Sequence, residues 1–120
     1  YFLHFSNHTG LEFLHSKGWV YRATSLSNIY IKENGYIAID GLNKLSKKKK
    51  TKDEVFYDIC GLPEDLAPEM ILCQGYNECL DIWGLGVCAY NMIEGQHPLL
   101  PTTQNKHFEI FYRKRYNNLK

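Results

Sequence analysis

The sequence predicts an α+β domain, mainly helical, built on a buried central helix with a small β-hairpin beside it. Three stretches carry that prediction. From Leu80 to Ile93 apolar residues fall on nearly every face at 3.6 residues per turn, which describes a helix buried all round. Ile29–Lys32 and Tyr36–Ile39 flank Glu33-Asn34-Gly35, two β-prone runs around an Asn-Gly turn. Residues 1–17 repeat apolar side chains at helical spacing and end at Gly18.

In chain order, Phe2, Phe5, Leu11 and Leu14 are the core candidates of the first helix. Gly10 weakens it by about 1 kcal/mol relative to Ala, so it depends on tertiary packing. His4 and His8 sit one turn apart with no third ligand nearby, so they read as surface histidines, not a metal site. His15 reads as structural. Val20-Tyr21 is a short strand, and residues 22–28 lack periodicity and form a loop. Lys47–Lys50 with Lys52 is a charge run, expected to be a solvated loop. Asn77 is the N-cap of the central helix; Gly95 and Pro98 end it. Asp81 lies inside that apolar helix, so a loop must fold back and supply hydrogen-bond donors to its carboxylate. Residues 105–116 read as a further helix with a basic end. Gly84-Leu85-Gly86-Val87-Cys88-Ala89 fits a dinucleotide-loop pattern on paper, but its place inside a helix rules that reading out.

Composition bounds the rest. The 120 residues suffice for one small domain, and a formal charge of +1 gives no global bias toward nucleic acid or membrane. The apolar runs are too short to span a bilayer, and residues 1–20 lack the plan of a signal peptide. The four cysteines include no C-x-x-C pair, so free thiols in a cytoplasmic protein are expected.

Several motifs, in order, carry a resemblance. Leu11–Gly18 (LEFLHSKG) is similar to LEYLHSKG, Cys60–Glu69 (CGLPEDLAPE) to CGTPEYLAPE, and Asp81-x-Trp83-x-x-Gly86 follows on the apolar helix. Together they resemble the C-terminal lobe of eukaryotic protein kinases of the AGC group, nearest to the cyclic-nucleotide-dependent kinases. The resemblance implies that residues 1–120 form part of a kinase domain without its N-terminal lobe, since no G-x-G-x-x-G strand loop and no V-A-I-K lysine is present.

The chemistry of that family needs a catalytic-loop Asp, a Lys on the transferring phosphate, and an Asn and a second Asp on magnesium. Against Y-R-D-L-K-P-E-N this chain reads Tyr21-Arg22-Ala23-Thr24-Ser25-Leu26-Ser27-Asn28. Ala23 thus replaces the catalytic Asp and Ser25 the Lys, while Leu62 replaces the Thr that bridges them. Asn28 remains as a metal and nucleotide ligand. Asp40 can stand for the Asp of D-F-G only with the chain short by two residues; without gaps that motif becomes Gly41-Leu42-Asn43. Ser27 and Asn91 replace two acids that read substrate arginines. The resemblance makes Asp58 the fixed-charge counterpart of the phosphorylated activation-loop Thr, to pair with Arg22. It keeps Glu69, Asp81, Trp83 and Gly86 as structural residues, with the partner Arg of Glu69 expected beyond Lys120. The implied protein is a catalytically inactive pseudokinase acting on protein partners as a binding or regulatory module. Two alternatives stand beside it: an active Ser/Thr kinase with an unusual metal site, and a gene fragment without function. No cofactor is expected for the 120 residues, with ATP and magnesium possible in a longer form.

Overall fold

The computed structural model describes residues 10–42 and 46–99. The first helix, α1, covers residues 10–16 of the described chain; Phe2, Phe5, His4, His8 and the helix expected at 105–116 lie outside it. Gly18 ends α1 with a left-handed φ of 76°, and the chain enters β1, Trp19–Val20. The strand expected at Val20-Tyr21 is displaced by one residue because the Tyr21 amide is drawn out of the ladder toward Asp81.

A 3-10 turn at Leu26–Asn28 leads into the hairpin of β2, Ile29–Ile31, and β3, Ile37–Ile39. The register pairs Ile29 with Ile39, Tyr30 with Ala38 and Ile31 with Ile37. Gly35 takes φ 80°, and Asn34 Oδ1 accepts the Tyr36 amide at 3.2 Å, so the Asn-Gly pair closes the turn as its chemistry suggests.

The lysine run corrects the sequence reading. Lys47–Lys48 form β4, antiparallel to β1 with Trp19 opposite Lys48 and Val20 opposite Lys47. Lys49 extends the ladder through its amide to Gly18 O at 2.8 Å. Alternation along an extended strand sends Lys47 and Lys49 to one face. There Lys47 Nζ lies 2.8 Å from Asp58, and Lys49 Nζ lies 2.9 Å from Glu78. Two distant acids therefore hold in place a segment that composition alone marks as solvated.

Beyond it, Phe56 and Tyr76 exchange both backbone hydrogen bonds, at 2.8 and 2.9 Å, closing the loop around the short helix α2, Pro68–Ile71. Pro68 at the first helical position suits α2, since that amide would have no partner in any case. The central helix α3 runs Cys79–Glu94. The N-cap falls at Glu78, one residue after the expected Asn77, whose Oδ1 accepts the Cys79 amide at 3.0 Å, and Gly95 stops the helix at φ 69°.

The helix α3 is buried on one face, not all round. Leu80, Asp81, Gly84, Leu85, Val87 and Cys88 are inward. Ile82 is 51% and Ile93 80% exposed, and Tyr90 and Met92 are open too. An apolar sequence fixes what a helix can bury; how much neighbouring chain covers it decides what it does bury.

The principal core joins Val20, Phe56, Leu66, Ala67, Met70, Ile71, Tyr76 and Leu80. A smaller one joins Leu11, Tyr21 and Ala23 beneath Ile39. All four cysteines are free thiols. No helix among the described residues is long and apolar enough to cross a membrane.

Candidate functional site

The loop between β1 and β2 is anchored on α3 through one carboxylate. Asp81 is 1% exposed. Its Oδ2 accepts the Tyr21 amide at 2.9 Å and lies 2.7 Å from His15 Nε2, while Oδ1 accepts the Arg22 amide at 2.7 Å. These donors meet the need that a buried carboxylate creates. They come from the loop that the sequence required, together with His15 of α1. The arrangement holds Arg22 at φ 61°, a left-handed conformation that costs a non-glycine residue roughly 1–2 kcal/mol. Thr24 sits directly on α3, where a Cβ built on Gly84 would approach Thr24 Cβ and O to 2.7 Å. Gly84 is thus the close-approach residue of the helix. Gly86, singled out from the motif, has open space around it.

Below this anchor the loop faces Cys60–Ala67 across a cavity of about 80 Å³. Ala23, Ser25, Asn28 and Leu62 all line it, so residues far apart in sequence share one cavity. None of these four brings a charge. The carboxylates on its wall are Asp81, held by the loop, and Asp65, whose Oδ1 lies 3.0 Å from His97 Nε2. Leu62 is 50% exposed and lines the cavity with hydrocarbon. His97 Nδ1 accepts the Leu99 amide at 3.1 Å, so Nε2 carries the proton given to Asp65 when the ring is neutral.

Asn28 and Asp40 meet at the base of the hairpin, where the Asp40 amide donates to Asn28 O at 2.9 Å. Tyr21 Oη donates to Asp40 O, and burial, followed by the nearby Asp40 and Asp81 charges, pushes the Tyr21 phenol up to about 12. Each side chain makes one hydrogen bond. Asn28 Nδ2 donates to Ala23 O at 2.9 Å, and Asp40 Oδ1 accepts the Gly41 amide at 2.6 Å. Magnesium is held by one or two free carboxylates plus phosphates and water in near-octahedral geometry. Here the backbone takes one oxygen of the exposed Asp40 carboxylate, and Asn28 is bonded through its amide nitrogen. Asp40 Oδ2 and Asn28 Oδ1 are the oxygens left to hold a magnesium ion, one carboxylate and one amide, the least donor set with which such a site is held.

Asp58 lies on the other side of Arg22. Its Oδ2 is 2.6 Å from Arg22 Nη1 and its Oδ1 2.8 Å from Lys47 Nζ. Tyr76 Oη donates to Asp58 O at 2.6 Å and accepts from Arg22 Nη1 at 2.7 Å. Phe56 packs under both cations, with the Lys47 ammonium 5.2 Å and the Arg22 guanidinium 5.9 Å from its ring centre. Partial burial pushes the Asp58 carboxyl up, but hydrogen bonds from Lys47 and Arg22, with the Arg22 charge, outweigh it and bring it down to about 2. Burial, then the neighbouring Cys60, raises the Tyr76 phenol above its ordinary range. Sequence reasoning missed Lys47 and Tyr76. The only sequence signal for Tyr76 is its place just before the start of the central helix.

The remaining motif residues stand apart from this cavity. Glu69, Trp83 and Gly86 line a groove of about 620 Å³ on the outer side of α3. Trp83 Nε1 is buried there with no partner among the described residues, and Glu69 has no side-chain partner among them.

Residues 5–120 match the protein kinase domain family, and the chain belongs to it. Among its relatives are human RAC-beta serine/threonine-protein kinase, 35% identical over 85% of this chain, and the cAMP-dependent protein kinase type 3 of Saccharomyces cerevisiae, 35% identical over 82%. Serine/threonine-protein kinase YPK2/YKR2 of the same yeast is 38% identical over 87% of this chain. The chain spans 21%, 24% and 15% of these three relatives' own lengths.

Proposed function

We propose that this chain is the C-terminal-lobe portion of an AGC-like protein kinase domain that has lost phosphoryl transfer and acts as a protein-binding or regulatory module. One observation carries the reading: Ala23, Ser25 and Leu62 line the same cavity and put no carboxylate, ammonium or bridging hydroxyl where transfer needs them. Replacing all three positions together is chemically consistent. A lone Leu62 facing an intact Asp and Lys would strand buried charge, whereas Leu62 beside Ala23 and Ser25 leaves nothing unpaired.

What remains is scaffold chemistry. Asp81 holds the loop, Gly84 lets it approach the helix, and Asp58 takes the place beside Arg22 where relatives in the AGC group carry a phosphothreonine. A carboxylate in that place keeps residues 46–60 on the body of the domain without an upstream enzyme, though with less charge than a phosphate. The expected setting is cytoplasmic, with protein partners and not nucleic acid.

The test is phosphoryl transfer from magnesium-ATP to a basic peptide library and to the chain itself. Transfer at background is expected. Sustained transfer that disappears in Asp40→Ala or Asn28→Ala would overturn the proposal and return those two residues to a metal site.

A further inference from the structure

We propose that Thr51 is a phosphate-accepting site, recognised by a separate protein kinase of basophilic type through the lysines that precede it. The residue follows β4 at an exposed turn, where the Glu54 amide donates to Thr51 O at 3.3 Å. Its hydroxyl has no partner among the described residues. Strand alternation divides the lysine run. Lys47 and Lys49 are committed to Asp58 and Glu78 on the inner face. Lys48 and Lys50 are both exposed and take part in no ion pair among the described residues, and Lys52 follows the acceptor.

Ammonium groups one and three residues before an accessible hydroxyl present the charge pattern that an acid-lined substrate groove selects. Of the acids that follow Thr51, Glu54 competes poorly as a recognition signal, because its carboxylate is turned back to accept the Lys50 amide, which leaves Asp53 alone against three exposed lysines. Thr51 lies seven positions before Asp58, so the site is separate from the ion pair at Arg22.

In the reaction Thr51 Oγ attacks the γ-phosphorus of the ATP bound to that kinase. The Oγ–P bond forms, the bond to the β,γ-bridging oxygen breaks, ADP leaves, and the hydroxyl proton passes to the kinase's base or to solvent. The new dianion sits between Lys50 and Lys52 and repels Glu54, loosening the Glu54–Lys50 clasp while the inner pairs of Lys47 and Lys49 stay.

The experiment incubates the full chain with radiolabelled magnesium-ATP and the catalytic domain of a basophilic kinase, an acidophilic kinase, or none. Label from the basophilic enzyme at Thr51, retained in Thr51→Ser and lost in Thr51→Ala, is expected. Lys48→Ala with Lys50→Ala, both at exposed positions, is expected to slow labelling about tenfold or more with thermal unfolding unchanged. Undiminished label in Thr51→Ala, faster labelling by the acidophilic enzyme, or indifference to the two lysines would each overturn the proposal. Label on Thr51 with no added kinase would overturn its dependence on a separate enzyme, and would refute the absence of transfer proposed above as well.

Discussion

Replacing Asp81 with Asn keeps the shape of the buried side chain and removes its charge. In the native arrangement Oδ2 serves His15 Nε2 at 2.7 Å and the Tyr21 amide at 2.9 Å, and Oδ1 serves the Arg22 amide at 2.7 Å. An Asn can present its oxygen to either set, but its NH₂ then faces donors on the other side. With the oxygen at the Oδ2 place, the Arg22 amide loses its acceptor and an N–H is buried against it. One lost hydrogen bond to a charged group contributes about 1.5–3 kcal/mol, and a stranded donor about 1–3 more. At a site with 1% exposure no water relieves this, so a loss of about 3–4 kcal/mol is expected. That is a large share of the roughly 5–15 kcal/mol available to a small domain. Urea unfolding followed by tryptophan fluorescence measures it as a lower midpoint at constant slope. Trp19 and Trp83 lie on β1 and α3, the two sides of the anchor. A loss below about 1 kcal/mol would show that the β1–β2 loop does not depend on Asp81 and would refute the anchoring argument.

Three further outcomes follow from the same geometry. Gly84→Ala should cost about 1–3 kcal/mol, because its Cβ meets Thr24 backbone and side chain at 2.7 Å, whereas Gly86→Ala, in open space, should gain up to about 1 kcal/mol of helix propensity; equal effects in thermal unfolding would contradict the close approach. The lowered carboxyl of Asp58 contributes stability above its unfolded value of about 3.9, lost as pH falls through about 2. Screening at a side chain 43% exposed reduces that contribution to about 1 kcal/mol, so the gap between the parent and Asp58→Asn should close in acid, and a pH-independent gap would sink the ion-pair account. Cys73 holds a left-handed φ of 53° after α2. Cys73→Gly should relieve it and stabilise by up to about 1 kcal/mol, and a destabilised variant by calorimetry would show that the exposed thiol contributes packing.

Local chemistry made part of this structure readable in advance. Asn34-Gly35 specified the hairpin because few residues accept a left-handed turn, and Asp81 in an apolar helix demanded donors from elsewhere in the chain. Position-by-position comparison with the kinase motifs identified Ala23, Ser25 and Leu62, and the fold brought them to one cavity. Tertiary pairing hid the rest. Four consecutive lysines carry no sign that alternate members meet Asp58 and Glu78 across the structure. Apolar residues around α3 show what it could bury, while Ile82 and Ile93 remain outside. Gly84 and Gly86 look alike in sequence, and only the position of Thr24 separates them. Tyr76 joins the Arg22–Asp58 pair from a loop that has no periodic signal.

The central claim is that a kinase scaffold persists here without the groups that hold and transfer a phosphoryl group. Thermal unfolding of the longest product of the gene, with ATP and with or without magnesium, tests it most directly. No magnesium-dependent shift is expected, since Asp40 can take the D-F-G place only with the chain short by two residues, and metal geometry tolerates little displacement. A clear magnesium-dependent rise with ATP, abolished by Asp40→Ala, would contradict the account and show a working metal site at the base of the hairpin.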